Sequence, residues 1–583
     1  MKVSKIKVNG ITNPVGYVMD NVRVSWLVSE TEALSIVETH ILVAADSMFK
    51  NIAAQKSGAH LDPAGEALDM ELLPRTRYYI RIHVTGNNGE TAVNEAQAYF
   101  ETGKIDEPWV GRWIRPREGD DFHPVFRKHF TVSKPVVFGR LYISGLGLYT
   151  ASVNNVPVSQ ELLTPYYSDY RTEVQYQTYD ITKLLKEENE IRVALGNGWY
   201  KGHFGLAGKD KNFGSTFQMI AELHLCYEDG TEDVIGSDES WMYQGSDTRD
   251  SDIYNGEIVD HLMWEGQENP WKKAESARWD KKLTERYSLP VIPHEVMAVQ
   301  EVIHTPAGET VLDFGQNFAG YAAFYSTFPK GTKIVLDFGE ILQNGNFYNA
   351  NYRRAKSRFV YISDGREEIV SPKFTYFGFR YVRVTGWPGT VHASDFTGRA
   401  LYSHMEETGF IETGHEKVNR LFSNVKWGQK SNSVDFPTDC PQRDERLGWT
   451  GDAQVFSGTA SYNMDTGAFY HKFLHDLRVE QKKLDGIVPG VIPVFDPAGA
   501  AFAAVWGDVA TFLSWLLYQR YGDKTALESE YPMMKDWVDK ISREDEKRGR
   551  QYLFNFSNQM GDWLALDGRT SQSMKGGKSS WEG

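Results

Sequence analysis

TGHEKVNRLFSNV, residues 413–425, is where the hydrophobic period of the chain changes. Upstream, apolar and polar residues alternate, as in strands with one buried face. Here Val418, Leu421, Phe422 and Val425 fall at i, i+3, i+4 and i+7, one face of a helix. Thr413 and Glu416 have the spacing of a capping box and predict the helix start. The apolar spacing returns at Tyr470, Phe473, Leu474 and Leu477, and at Val509, Phe512, Leu513 and Leu516. A looser version runs through Leu527, Tyr531, Met534, Val538 and Ile541, and residues 452–463 are expected to form another helix. Five helices are thus expected after residue 413, joined by loops rich in Pro, Gly and Asp with no strand pattern between them. Trp515 falls within an apolar helix and is expected in the core.

Everything before that point reads as strands, in three blocks. RYYIRIHV (77–84) alternates Tyr78, Ile80, Ile82 and Val84 and runs into the turn signal GNNGE, which predicts a β-sandwich over 1–104. Preceded by ELLPRT, this stretch resembles the late strands of fibronectin type III modules. A second block, 108–280, contains GRLYISGLGLYTASVNNVPVS around an Asn-Asn turn, and ENEIRVALGNGWYKG, a strand before a Gly-rich, Trp-bearing loop. A jelly roll or related sandwich is expected there. The third block, 290–405, holds VLDFGQNFAGYAAF, GTKIVLDFGE and FGFRYVRVTGW, with glycines at turns and kinks. The helical domain follows over 413–567, and 568–583 is expected to be an irregular tail. The fold class is therefore multidomain: all-β sandwich or jelly-roll modules followed by a helical domain.

A chain of 583 residues is too long for one core. Its 41% hydrophobic and 24% charged residues are globular values, and the 16 Trp, 30 Tyr and 31 Phe offer flat faces that build cores and also stack on sugars. A net charge of -15 without clustered Lys and Arg argues against nucleic acid. No apolar run is long enough to span a membrane and the N-terminus lacks a signal-like apolar region, so no membrane partner is expected. Cys226 and Cys440, the only cysteines, are far apart in sequence, which predicts no disulfide framework and a cytoplasmic setting. The oligomeric state, a homodimer included, stays open.

The densest chemistry lies in DFPTDCPQRDERLGWTGD, residues 435–452, with five carboxylates: Asp435, Asp439, Asp444, Glu445 and Asp452. Pro437 and Pro441 keep the segment out of a helix, so its acids belong to a loop between helices. One reading is a solvated loop with Arg443 and Arg446 neutralising Asp444 and Glu445 in surface ion pairs. The interleaved Pro, Gly and Trp favour a shaped pocket instead. Neither an EF-hand nor a zinc spacing occurs, so no metal is expected. Carboxylates close together raise the pKa of the most desolvated one, which suits acid/base work, and Trp449 could wall the site.

DCPQRDERLGWTGDAQ closely resembles the signature of bacterial alpha-L-rhamnosidases of glycoside hydrolase family 78, and VWGDVATFLSWLLYQRYGD and NQMGDWLAL resemble later motifs of that family. The resemblance extends to about residue 567. It implies β-sandwich modules of fibronectin-III-like, rhamnosidase N-terminal and concanavalin-like type before an (α/α)6 barrel, and inverting removal of terminal alpha-L-rhamnose without a cofactor. By that likeness Glu445 is the general acid, Asp439 and Asp452 bind sugar hydroxyls, Arg443 offers donors or holds a carboxylate, and Trp449 packs against the sugar's methyl side. Asp508 with Trp506, and Asp562 with Trp563, match positions that line the pocket, although helix capping and core packing explain them almost as well. The resemblance places the general base on a Glu in the later part of the barrel, past the GDW motif. The chain as given is therefore expected to carry the acid without the base, in an incomplete barrel, and to turn over little. A non-catalytic carbohydrate-binding protein and an inactive fragment are the readings from other classes.

Overall fold

The computed structural model of the chain describes residues 1–206, 208–495, 502–557 and 559. The tail 568–583 lies outside them. At the N-terminus, a three-stranded sheet (Lys2–Val8, Val22–Ser29, Glu66–Leu68) faces a six-stranded one built on Ile36–Ala44 and Arg77–Gly86. Tyr78, Ile80, Ile82 and Val84 point inward together with Trp26, Ile41 and Val43, the alternation that a sandwich needs.

The second block forms two six-stranded sheets, one centred on Val136–Leu146 and Gln218–Tyr227, the other on Leu148–Val153 and Glu188–Gly196. Asn154 and Asn155, at φ 54° and 64°, close a two-residue hairpin with Val153 opposite Val156. Asn tolerates both left-handed positions that such a turn demands. The Trp-bearing segment expected as a loop is instead a single helical turn, α1 (Gly198–Lys201), because Trp199 and Tyr200 bury their rings and pull the backbone inward.

The third block is a ten-stranded sheet whose long central strand, Thr310–Ser326, pairs with Phe377–Thr385 and Phe396–Ser403. Two of its strands, Thr248–Asp252 and Gly256–Asp260, come from sequence assigned to the second block. Gly256–Asp260 pairs in parallel with Arg358–Ile362, a long-range pairing that leaves no local signal.

The helical domain contains α2 (Glu416–Ser431), α3 (Thr450–Asn463), α4 (Gly467–Lys483), α5 (Val509–Tyr521) and α6 (Lys524–Glu546), in the order expected. Its start differs in detail. His415 is the N-cap of α2 and no side chain caps it. The Thr413 amide and hydroxyl donate to Asn419 Oδ1 at 2.8 and 2.9 Å, so the expected capping box gives way to a clasp over the first turn. Val418 and Leu421 are exposed, and α2 buries its C-terminal end, Gln429–Ser431. Trp515 also departs from its expected core position. It is 47% exposed, because α5 turns Val509, Ala510, Leu513 and Leu517 inward and Phe512 and Trp515 outward.

One hydrophobic cluster links the blocks: Tyr167 and Trp199 from the second, Tyr352 and Phe374 from the third, and Phe436 and Leu474 from the helical domain are all members. The second and third β blocks are thus packed against the helical domain. Cys226 and Cys440 are free thiols. No helix among the described residues is long and apolar enough to cross a membrane.

Candidate active site

The acidic loop runs between α2 and α3 and is nailed down along its length. Gly448 approaches Ile492 so closely that a Cβ there would stand 1.9 Å from the Ile492 carbonyl oxygen, and Ile492 donates its amide to the Gly448 carbonyl at 2.9 Å. Only glycine allows that approach. Arg446, at φ 49° and fully buried, donates to the carbonyls of Ile253 (2.8 Å), Tyr376 (2.9 Å) and Gln442 (2.9 Å). Tyr254 donates its hydroxyl to the Glu445 carbonyl at 2.5 Å. The loop is therefore docked on both β blocks, and the solvated ion-pair reading of Arg446, Asp444 and Glu445 is overturned, because the three are buried rather than exposed.

The five carboxylates divide by partner. Asp435 is buried against Lys472 Nζ (3.3 Å) and the Tyr167 amide (2.8 Å), which makes it a docking group. Asp444 is held by Arg353 Nε at 2.8 Å and Arg354 Nε at 2.7 Å. Glu445 Oε2 accepts from Arg353 Nη2 at 2.8 Å and lies 2.9 Å from Arg443 Nη2, and its Oε1 accepts from Trp449 Nε1 at 3.1 Å. Asp439 Oδ1 accepts the Leu447 amide at 2.8 Å, while Oδ2 lies 3.4 Å from Arg443 Nη2. Burial, helped by the Glu445 charge, raises the Asp439 carboxyl to about 6. Asp452 opens from the first turn of α3.

Asp439, Asp452 and Trp506 share a crevice of about 610 Å³ between α2, α3 and the segment before α5. The Trp506 indole lies against Gly451, where a Cβ would stand 2.7 Å from the ring, and its buried Nε1–H has no partner among the described residues. Asp508 is turned away: its oxygens accept the Val505 amide (2.8 Å) and Trp537 Nε1 (3.0 Å). Asp562 and Trp563 lie outside the described residues. Among the described residues, Asp439, Cys440 and Glu445 bring one ligand atom each within 4.8 Å of one another. Two guanidiniums already neutralise Glu445, and burial pushes the Cys440 thiol far up, away from the thiolate a metal requires, so the trio suits an acid site better than a cation. Sequence reasoning missed Arg353, Arg354 and Tyr254. They lie in β blocks and carry no local mark of a site.

A helical domain with clustered carboxylates and tryptophans beside a crevice thus follows the β modules. Four family models match in that order: a Rha78A-like N-terminal immunoglobulin domain at 3–106, an alpha-L-rhamnosidase N-terminal domain at 134–295, a bacterial alpha-L-rhamnosidase concanavalin-like domain at 303–402, and the six-hairpin glycosidase domain of bacterial alpha-L-rhamnosidases at 406–579. The chain belongs to the bacterial alpha-L-rhamnosidase family. It is 34% identical to an alpha-L-rhamnosidase of Streptomyces avermitilis over 82% of this chain and 47% of that protein, and 31% identical to one of Formosa agariphila over 95% of this chain and 63% of that protein. The chain thus spans between about half and two thirds of the length of these relatives. Among solved structures, the alpha-L-rhamnosidase of Aspergillus terreus superposes with a TM-score of 0.89 at 31% identity, covering 97% of this chain and 67% of that one. The Dictyoglumus thermophilum enzyme gives 0.87 at 28% identity, covering 97% and 66%.

Proposed function

We propose that the protein hydrolyses terminal alpha-L-rhamnose from rhamnosides with inversion, and that Glu445 is the general acid that protonates the leaving oxygen. The observation that carries this reading is the Glu445 carboxyl itself: buried, fixed on both oxygens, and beside the crevice shared by Asp439, Asp452 and Trp506. A general acid must be held in hydrogen-bond reach of the atom it protonates; the contacts from Arg353, Arg443 and Trp449 orient this carboxyl and do not supply its proton. Asp439 and Asp452 would accept sugar hydroxyls, Arg443 would steady the acids, and Trp449 and Trp506 would wall the ring. Inversion also needs a base across the sugar, with room for a water between the two carboxyls, roughly 6.5–9.5 Å apart. That base is assigned to none of the described residues.

Azide carries its own negative charge and needs no base. When it attacks the anomeric carbon, the C–N bond forms as the C–O bond breaks, and the acid's proton goes to the leaving oxygen. Reaction of p-nitrophenyl alpha-L-rhamnoside in azide buffer, followed by proton NMR, tests the reading. The expected first product is the beta-configured rhamnosyl azide or rhamnose. The alpha anomer as first product contradicts inversion, and no product at all contradicts the reading.

A further inference from the structure

The proposed acid is held by two groups of its own loop, Arg443 and Trp449, and by one residue from another module. Arg353 follows the short turn Ala350–Tyr352 with φ 60° and ψ -110°, a conformation a non-glycine residue adopts only when its surroundings enforce it. The enforcement is visible. Tyr352 is fully buried and donates its hydroxyl to the Gly378 carbonyl at 2.7 Å, which pins the turn to the strand Phe377–Thr385. From that anchor one guanidinium spans two consecutive acids, Nε on Asp444 Oδ1 and Nη2 on Glu445 Oε2, each at 2.8 Å. Arg353 and Glu445 are 92 residues apart and fall in different family models, the concanavalin-like one and the glycosidase one.

Among the described residues, Arg353 is the charged group from outside the loop that bonds Glu445. Arg443 belongs to the same loop and divides its guanidinium between Glu445 (2.9 Å) and Asp439 (3.4 Å). Arg354 reaches Asp444 and does not bond Glu445. Asp439 and Asp452 are acids and repel the carboxylate. We infer that Arg353 is a positioning residue for the general acid: the concanavalin-like module completes the active site by fixing the orientation of Glu445 through the Arg353 guanidinium. The inference rests on the assignment of Glu445 as the acid.

Its test uses leaving-group dependence, which loss of fold alone would not produce. Methyl alpha-L-rhamnoside needs full protonation as it departs, whereas p-nitrophenol departs with little help. Rates in azide buffer are compared for the wild type, Arg353→Ala and Arg353→Lys, with circular dichroism confirming the fold. The expected result is that Arg353→Ala lowers kcat on the methyl substrate about tenfold or more, changes it less than about twofold on the p-nitrophenyl substrate, and leaves KM nearly unchanged. Arg353→Lys, which keeps the charge and loses the two-armed grip, recovers part of the loss. Equal slowing of both substrates, or slowing of neither, overturns the positioning role and leaves the acid assignment standing. Failure of the folded wild type to transform either substrate overturns the rhamnosidase reading and this assignment with it.

Discussion

Trp449 donates its indole N–H to Glu445 Oε1 at 3.1 Å, and so ties the aromatic wall of the loop to its central carboxyl. The other oxygen of Glu445 faces two arginines. A carboxyl held on both oxygens has one orientation; Asp444 and Asp439 are held on both oxygens too, and what sets Glu445 apart from them is the indole N–H it accepts.

Asp439 predicts a pH dependence of stability. Its carboxyl titrates near 6 when folded, against about 3.9 in an unfolded chain, so between those values the folded state binds more protons. Stability contributed by neutral Asp439 is present below about pH 4 and is lost as pH rises through 6. Asp439→Asn stays neutral throughout. Relative to wild type it should gain roughly 2–3 kcal/mol between pH 4 and pH 7, read from urea unfolding at each pH. A flat or falling difference across that window contradicts the buried, charge-opposed placement of Asp439.

Lys472 predicts how firmly the helical domain is docked. Its ammonium is buried between Asp435 (3.3 Å) and Asp476 (2.8 Å) and donates to the Tyr167 carbonyl at 3.1 Å. Lys472→Met strands Asp435 and should cost about 3–5 kcal/mol in chemical denaturation. Adding Asp435→Asn should return a good part of that loss. A double variant as unstable as the sum of the singles would show that the pair does not interact.

Gly451 predicts the width of the crevice. A methyl group there meets the Trp506 indole at 2.7 Å and has to displace it. Overpacking of this kind costs about 1–3 kcal/mol of stability, and the displaced indole changes the crevice wall, so Gly451→Ala should also weaken L-rhamnose binding measured by calorimetry. Unchanged affinity would place the sugar away from Trp506.

Arg446 predicts an effect on the loop as a unit. Its guanidinium donates to three backbone carbonyls at 2.8–2.9 Å, which the hydroxyls of Thr375 and Ser357 reach only at 3.2–3.4 Å. Arg446→Ala removes the charged donor from all three, at a cost of about 1–3 kcal/mol. The expected readout is a lower thermal midpoint together with lost rhamnose binding. A variant as stable as wild type would contradict the docking role.

The boundary near residue 413, the five helices and the strand face of Tyr78, Ile80, Ile82 and Val84 were legible because each follows from local periodicity. The loop 435–452 stood out through its Pro, Gly and Trp. What stayed hidden depends on distant partners. Asp435, Asp439 and Asp444 are alike in sequence, and distant partners such as Lys472, Leu447 and Arg354 distinguish them. Arg353 lies among strands, and nothing around it points to an acid 92 residues on. Thr413 has the right spacing for a cap, yet its hydroxyl oxygen accepts the His415 amide, ahead of the helix, and its O–H goes to Asn419 Oδ1. The outward face of Trp515 follows from which neighbours α5 packs against, which spacing alone does not reveal.

The role of Glu445 is tested most directly by comparing wild type with Glu445→Gln on methyl alpha-L-rhamnoside in azide buffer. With Glu445 as the proton donor, Glu445→Gln keeps its fold and its rhamnose affinity within a few-fold but loses about 100-fold to 10,000-fold in rate. A Glu445→Gln protein that cleaves the methyl rhamnoside at the wild-type rate would contradict the assignment of Glu445 as the proton donor.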